Sequence, residues 1–399
     1  MSGAPGARAA AEPALRPRPD LFRTFLEADP DRLHFAAHSH HPWPDASLEG
    51  QRAAWQVAAD RMDRKWDVVF GEVLPAAQGH VARTLNLPDP STIAFAPSVH
   101  ELFLRVLSCF EIGRPVRILS TDSEFHSFER QSRRLEEAKL AYVERVPTEP
   151  FEDFPERFAT RAATGEFDLV YVSHVFFNSG YVIRDLQALV DAVPASAWVF
   201  VDGYHAFWAL PVDLSGIADR AFYSAGGYKY AMSGEGMCFL HAPPGYGPRP
   251  VNTGWFAGFG ALESGFSGVP YAPDGGRFLG ATFDPTGAYR FRAVMDLLAR
   301  EGIDPAAIHA HVRALQERFL GHVASRAPGG LSPGQLVPGV DAPDRGNFLT
   351  FRRPDAQDLF RRLLDANVVT DVRGDRLRFG FGIYHRPEDV DALVERLGP

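Results

Sequence analysis

A chain of 399 residues, 45% hydrophobic and 23% charged, has the composition of a globular protein and the length of a large domain plus a smaller one. Its formal net charge of −9, without a long Lys/Arg run, removes the electrostatic footprint that nucleic-acid or anionic-membrane binding needs. No stretch approaches the ~18 consecutive apolar residues of a membrane span, and Cys109 and Cys238 lie in apolar contexts as reduced core thiols would, so a cytoplasmic protein acting on a small molecule is expected.

Residues 1–20, MSGAPGARAAAEPALRPRPD, are expected to be a flexible extension. His34, His38, His40 and His41 then cluster in LHFAAHSHHPWP. Plain structure and a substrate-side role are both open for them, while a metal site is least expected because no cysteine accompanies them. Farther on, strand-like runs alternate with helical ones: Thr92–Phe95 and Val99–Phe110, Val116–Ser120 and Phe125–Ala138, Leu140–Val146 and Asp153–Ala163, Asp168–His174 and Arg184–Ala192, then Trp198–Asp202. This alternation predicts an α/β fold with a parallel sheet flanked by helices. VRILS, DLVYVS and WVFVD are nearly continuous in apolar residues, as strands covered on both faces are.

Gly245 to Gly287 is rich in Gly, Pro and aromatics, and a loop that long is expected to serve the active site or a subunit contact. Two long helical patterns, Tyr289–Glu301 and Pro305–Ala327, lead into shorter runs that read as a smaller α+β domain. The expected division is a large domain over 21–288 and a small one over 289–399, with no solenoid repeat.

Several motifs fail on inspection. Gly330-Leu331-Ser332-Pro333-Gly334 has the G-x-S-x-G spacing, but Pro333 has no N–H for an oxyanion hole. His100-Glu101 lacks the second zinc ligand, since position 104 is leucine, and neither a P-loop nor a strand-linked G-x-G-x-x-G is present.

The chain has three lysines, Lys65, Lys139 and Lys229, against 38 arginines (41 basic residues less three). Lys65 and Lys139 sit in charged helical text, whereas Lys229 lies in AFYSAGGYKYAMSGEGMCFL, where an unpaired charge is costly. Arginine stays protonated, but a desolvated amine can lose its proton and attack an aldehyde, so Lys229 is the candidate for a Schiff base with a carbonyl cofactor. The strand WVFVD delivers Asp202 at its carboxyl end, the ligand edge of open α/β sheets, where a carboxylate can pair with the ring nitrogen of pyridoxal 5′-phosphate. His205 follows three residues later. Ser98 opens a helix after a strand and, with the N–H groups beside it, offers a seat for phosphate; Phe125 can lie against the cofactor ring.

These residues resemble the class V branch of fold-type I pyridoxal-phosphate enzymes and, within it, the kynureninases, from about Leu33 to the C-terminus. VDGYHAF and GGYKYAMSGEG carry the resemblance, with PSVHELFLRVL, SEFHSFERQ, HVFFNSG, Gly254-Trp255-Phe256, FLGATFDPTG and LRFGFGIYHRPEDV. It implies a large domain with a mostly parallel central sheet, a smaller C-terminal α+β domain, and a homodimer with active sites at the subunit interface. By position it implies Ser98, Val99 and Tyr228 at the phosphate, Phe125 on the ring, Asp202 at the ring nitrogen with His205 beside it, and Arg378 at the substrate α-carboxylate. Trp255 and Thr282 would reach the phosphate of the neighbouring subunit, and His38, Ser39 and Asn178 would face the substrate. The chain departs from kynureninases in Phe125-His126-Ser127-Phe128, where an aspartate usually follows the phenylalanine. It also has Asn178-Ser179 in place of Tyr-Thr and His38-Ser39 in place of Asn-Ser.

The implied reaction is hydrolytic cleavage at the β-carbon of a kynurenine-like amino acid, releasing alanine and an aromatic acid. Lys229 shuttles protons in it and Tyr228 is the nearest acid. Phe176, Phe177, Trp255, Phe256 and Phe259 are candidates for an aryl pocket. A class V aminotransferase would keep the same cofactor contacts. A cysteine desulfurase would need a mobile thiol, and no cysteine follows Cys238. The joint presence of Lys229, Asp202 and Arg378 argues against a non-catalytic relative kept for binding.

Overall fold

The computed structural model describes residues 15–111, 113–261, 268–342 and 345–399, so most of the expected N-terminal extension lies outside it. In chain order, β1 (Leu33–His34) stands apart from the central sheet, which is built from β2 (Ile93–Ala96), β3 (Val116–Thr121), β4 (Ala141–Val146), β5 (Leu169–Ser173), β6 (Trp198–Asp202), β7 (Ala221–Gly226) and β8 (Cys238–His241). The strand order is β2-β8-β7-β6-β5-β3-β4; β8 runs antiparallel to β2 and β7, and the other pairs are parallel.

The apolar runs explain this arrangement. β5 and β7 are buried along their whole length, as strands covered on both faces must be. One face packs Phe103, Phe128, Tyr171, Phe200 and Phe222, and the other packs Val170, Val172, Val199, Val201 and Tyr223 with Phe207 and Phe239. The covering helices include Val99–Leu107, His126–Glu137, Phe154–Ala162 and Leu186–Asp191, each within three residues of its expected ends. Val99–Leu107 buries Leu102, Phe103 and Val106, the i, i+1, i+4 stripe of an amphipathic helix. Ser98 caps it by accepting the Glu101 N–H at 3.2 Å.

The C-terminal part carries β9 (Leu336–Val337), β10 (Phe348–Arg352), β11 (Val368–Val369), β12 (Asp371–Arg373) and β13 (Arg376–Gly380). β12-β13-β10-β9 form an antiparallel sheet whose core includes residues of helices Pro305–Arg326, Ala356–Asp365 and Pro387–Leu397. β1 pairs with β11 and Ala36 bridges to Gly380, so the segment after Leu33 is stitched to this sheet. His38 is thereby carried to β13. Helices Asp45–Arg61 and Thr286–Arg300 pack together at Gly50, where a Cβ would stand 2.6 Å from the Tyr289 carbonyl oxygen. Among the described residues no helix is long and apolar enough to cross a membrane.

Candidate active site

The register Ser173–Asp202–Ser224 across β5, β6 and β7 brings three polar residues level at the carboxyl ends of parallel strands. Gly203 follows; a Cβ there would stand 2.1 Å from the Tyr223 ring, so only glycine lets the chain turn this closely over β7. The turn presents Tyr204 and His205, and the β7–β8 connection returns Tyr228 and Lys229 to the same place. Together with Ser98, Val99, Phe125, Ser173, Phe177 and Asp202 they line a cavity of about 280 Å³.

Lys229 is buried, and its Nζ lies 2.7 Å from His205 Nε2 and 4.7, 5.3 and 5.6 Å from the rings of Tyr204, Phe125 and Tyr228. Burial lowers its amine to about 7, against the opposing pull of Asp202. Burial likewise holds His205 well below the usual imidazole range, with Lys229 and Arg378 adding to the effect, so the ring is neutral and can accept from the amine. Asp202 accepts from the Tyr204 N–H at 3.0 Å and the Tyr171 hydroxyl at 3.1 Å. Burial raises its carboxyl while Tyr204, Lys229 and Tyr171 draw it back down.

This arrangement fits pyridoxal phosphate. The slot is walled by Phe125, Tyr204 and Tyr228, has a carboxylate without a basic ion-pair partner among the described residues, and opens at a helix N-terminus. His205 Nδ1 is buried without a hydrogen-bond partner, leaving polar capacity for a bound group. Ser98 and Val99 would meet the phosphate, although the Ser98 hydroxyl also caps its helix and the Val99 N–H is directed at the Cys238 sulfur. Phe125 meets the Phe177 ring edge-on at 5.5 Å.

Arg378 projects from β13 beside this slot. Its guanidinium pairs with Asp371 and donates to the Phe177 carbonyl, its Nε has no partner, and burial lowers it to about 10. It is therefore not the free carboxylate fork that the sequence suggests. His38 is fully buried and stacks on Phe348 at 4.6 Å, with neither ring nitrogen hydrogen-bonded. Burial first, then Arg378 and His205, keeps it neutral. Asn178 donates to Ser123 Oγ at 3.1 Å, while its Oδ1 is unpartnered.

Other expected residues fall elsewhere. Ser39 is outside the cavity, 3.3 Å from His40 Nδ1. Trp255, 43% exposed, and Thr282 also lie outside the slot of their own chain. Of the five aromatics proposed for an aryl pocket, only Phe177 lines the cavity. Phe176 packs on Phe154 and Tyr181, and Trp255, Phe256 and Phe259 stack in a separate cluster with Phe70. None of the four clustered histidines lines the slot: His34 Nδ1 bonds the Tyr384 hydroxyl, and His41, whose Nδ1 bonds the Pro42 carbonyl, meets the same Tyr384 ring edge-on at 5.3 Å.

Glu124, Tyr171, Ser173, Tyr204 and Asp371 are the residues that sequence reasoning passed over. Glu124 is buried behind Phe125, accepting from Thr121 Oγ1 at 2.7 Å, Ser173 Oγ at 2.5 Å and Ser173 N–H at 3.2 Å. With no basic ion-pair partner among the described residues, burial pushes its carboxyl up to about 8. The D-G-Y-H spacing could have flagged Tyr204. Nothing in the text around Glu124 or Asp371 separates them from surface acids.

Residues 48–330 match the aminotransferase class-V family and 308–397 the kynureninase C-terminal domain. The chain is 30% identical to isopenicillin N epimerase of Streptomyces clavuligerus over 92% of this chain and 95% of that one. It is 31% identical to kynureninase of Burkholderia pseudomallei (strain K96243) over 59% of this chain and 56% of that protein. Among solved structures, the cystine C–S lyase C-DES in complex with its product cysteine persulfide superposes with a TM-score of 0.75 at 20% identity, covering 92% of this chain and 98% of that one. The cysteine desulfurase of Thermococcus onnurineus NA1 superposes at 0.74 and 17% identity, covering 96% and 97%.

Proposed function

Because the chain belongs to the aminotransferase class-V family and is a pyridoxal-phosphate-dependent enzyme, we propose that it removes the α-proton of an amino acid at Lys229 and cleaves a kynurenine-like substrate at its β-carbon. The observation that carries this reading is the buried Lys229–His205 contact inside an aromatic-walled slot. The cofactor supplies an electron sink for charge left at the substrate's α-carbon.

The residues divide the work. Asp202 would keep the ring nitrogen protonated, and Phe125 would cover the ring. Ser98, Val99 and the N-terminus of helix Val99–Leu107 would receive the phosphate, favoured by the helix dipole. With its amine near 7, Lys229 can release and take protons at neutral pH. His205, 2.7 Å away, can hold one of them. Tyr228, whose hydroxyl burial keeps protonated, would donate to the β-carbon once water has added to the γ-carbonyl and the acyl group has left as a carboxylic acid. Arg378 would anchor the substrate α-carboxylate. Trp255 and Thr282, exposed in one chain, would complete the phosphate site of a second copy in a homodimer.

Whole-length similarity to an epimerase favours a second reading, in which the same proton is removed and returned on the opposite face. Incubating cofactor-loaded enzyme with kynurenine or hydroxykynurenine in deuterated water separates the two. Alanine plus an aromatic acid supports β-cleavage. Deuterium at the α-carbon with loss of chirality and no alanine supports epimerisation, and keto acid formed only with an acceptor supports an aminotransferase.

A further inference from the structure

We propose that Asp371 is a movable counter-ion for Arg378, held between two guanidinium groups so that a substrate carboxylate can take its place while Arg373 receives its charge. The inference rests on the reading of Arg378 as the carboxylate anchor.

Asp371 and Arg378 are register partners on β12 and β13, and Arg373 lies two residues along the same strand. One Asp371 oxygen pairs with Arg378; the other lies 2.7 Å from Arg373 Nη1. The two arginines differ in surroundings, with side chains 3% exposed at Arg378 and 40% at Arg373. A dry guanidinium without an anion is costly, so Asp371 is what permits Arg378 to stand buried before any ligand arrives. An incoming carboxylate adds a second negative charge at the same dry place, where like charges repel. Arg373, at the water boundary, gives Asp371 somewhere to move.

The surroundings have unused hydrogen-bonding capacity for that exchange. Arg378 Nε, both His38 nitrogens, Asn178 Oδ1 and Oγ1 of Thr350, the β10 register partner of Arg378, are buried without partners. His38 Nε2 stands 3.8 Å from the Asp371 oxygen that faces Arg378, too far to donate to it as it stands, so the imidazole is an unused donor beside the place where the carboxylates exchange.

The test uses holoenzyme and 2-aminoisobutyrate, an amino acid with no α-proton to lose, with its Kd read from the absorbance of the bound cofactor. Arg373→Gln should raise Kd several-fold by leaving Asp371 fixed on Arg378, and Arg373→Lys should stay near wild type. Asp371→Asn should bind at least as tightly as wild type and erase the effect of Arg373→Gln in the double variant. A silent Arg373→Gln, or an equal increase in both backgrounds, overturns the counter-ion role. Arg378→Gln tells the two readings apart: unchanged Kd there removes the anchor, whereas weakened binding with a silent Arg373→Gln removes the counter-ion role alone.

Discussion

Lys229 Nζ and His205 Nε2 stand 2.7 Å apart in a site where burial drives both toward neutrality. An amine held at about 7 instead of its usual 10.5 is protonated in the unfolded chain and reluctant to be so in the folded one. Its penalty in the cofactor-free protein is therefore absent at strongly alkaline pH, grows as pH falls toward 7 and is constant below. Lys229→Met should stabilise the cofactor-free protein at pH 7 by on the order of a few kcal/mol and flatten its stability between pH 7 and 10. Chemical denaturation across that range measures it, and a variant less stable than wild type at pH 7 would contradict the burial argument. Borohydride treatment of the holoenzyme should fix the cofactor to the Lys229 peptide.

Asp202 accepts two hydrogen bonds and has no basic ion-pair partner among the described residues, so its charge is available to a protonated ring nitrogen. Asp202→Asn preserves shape and removes the charge. It should retain bound cofactor while turnover falls roughly a hundredfold or more, since a neutral amide cannot hold the ring protonated. Near-normal kcat with bound cofactor would take Asp202 out of the chemistry.

Glu124 offers a pH test that does not depend on substrate. Its carboxyl is raised to about 8 by burial while the unfolded chain ionises near the ordinary value. The folded state is therefore penalised above the unfolded pKa, increasingly up to about pH 8 and constantly beyond. Glu124→Gln should raise Tm more at pH 8 than at pH 5. Equal shifts at both values, measured by calorimetry, would mean the side chain is already ionised in the folded protein.

The central sheet was legible because its strands announce themselves: VRILS, LVYVS and WVFVD have few polar residues, and burial on both faces demands that. Lys229 was legible because arginine had replaced lysine almost everywhere else. The helix Asp45–Arg61 was not, since its contact side is small residues (Ser47, Gly50, Ala54) and Trp55 points outward at 81% exposure. Asp371 and Glu124 were invisible for a different reason. Glu124 is buried by a contact 49 residues away, at Ser173, whereas Asp371 faces Arg378 across the tight β12–β13 hairpin and is covered by distant segments such as that of His38, 3.8 Å away. The five aromatics are not separable in the sequence, because a phenylalanine reads the same whether it lines the slot of its own chain, as Phe177 does, or packs on Phe70, as Phe256 and Phe259 do.

Arg378→Lys keeps the charge and loses the planar fork that reaches Asp371 and the Phe177 carbonyl at once. KM for the amino acid should rise about tenfold with the cofactor spectrum unaltered, because a point charge cannot hold the Phe177 carbonyl and also offer a two-pronged contact to a carboxylate. Steady-state kinetics decide it, and an unchanged KM would place the α-carboxylate elsewhere.

Tyr228 separates a proton donor from a phosphate contact. Its ring lies 4.8 Å from Tyr204 and 5.6 Å from Lys229 Nζ, and burial keeps its hydroxyl protonated, as a donor to a β-carbon must be. Removing the hydroxyl by Tyr228→Phe leaves the ring packing intact. If Tyr228 is the acid, alanine release from kynurenine should slow by about a hundredfold, the lower end of what positioned general acids contribute. Cofactor affinity and deuterium exchange at the α-carbon should change little, since both precede protonation of the β-carbon. A hydroxyl that only steadies the phosphate gives the reverse pattern, weaker cofactor binding with normal kcat once the site is saturated. Measuring cofactor Kd, α-exchange and alanine release on the same preparation distinguishes them, and normal alanine release from saturated Tyr228→Phe would end its candidacy as the acid.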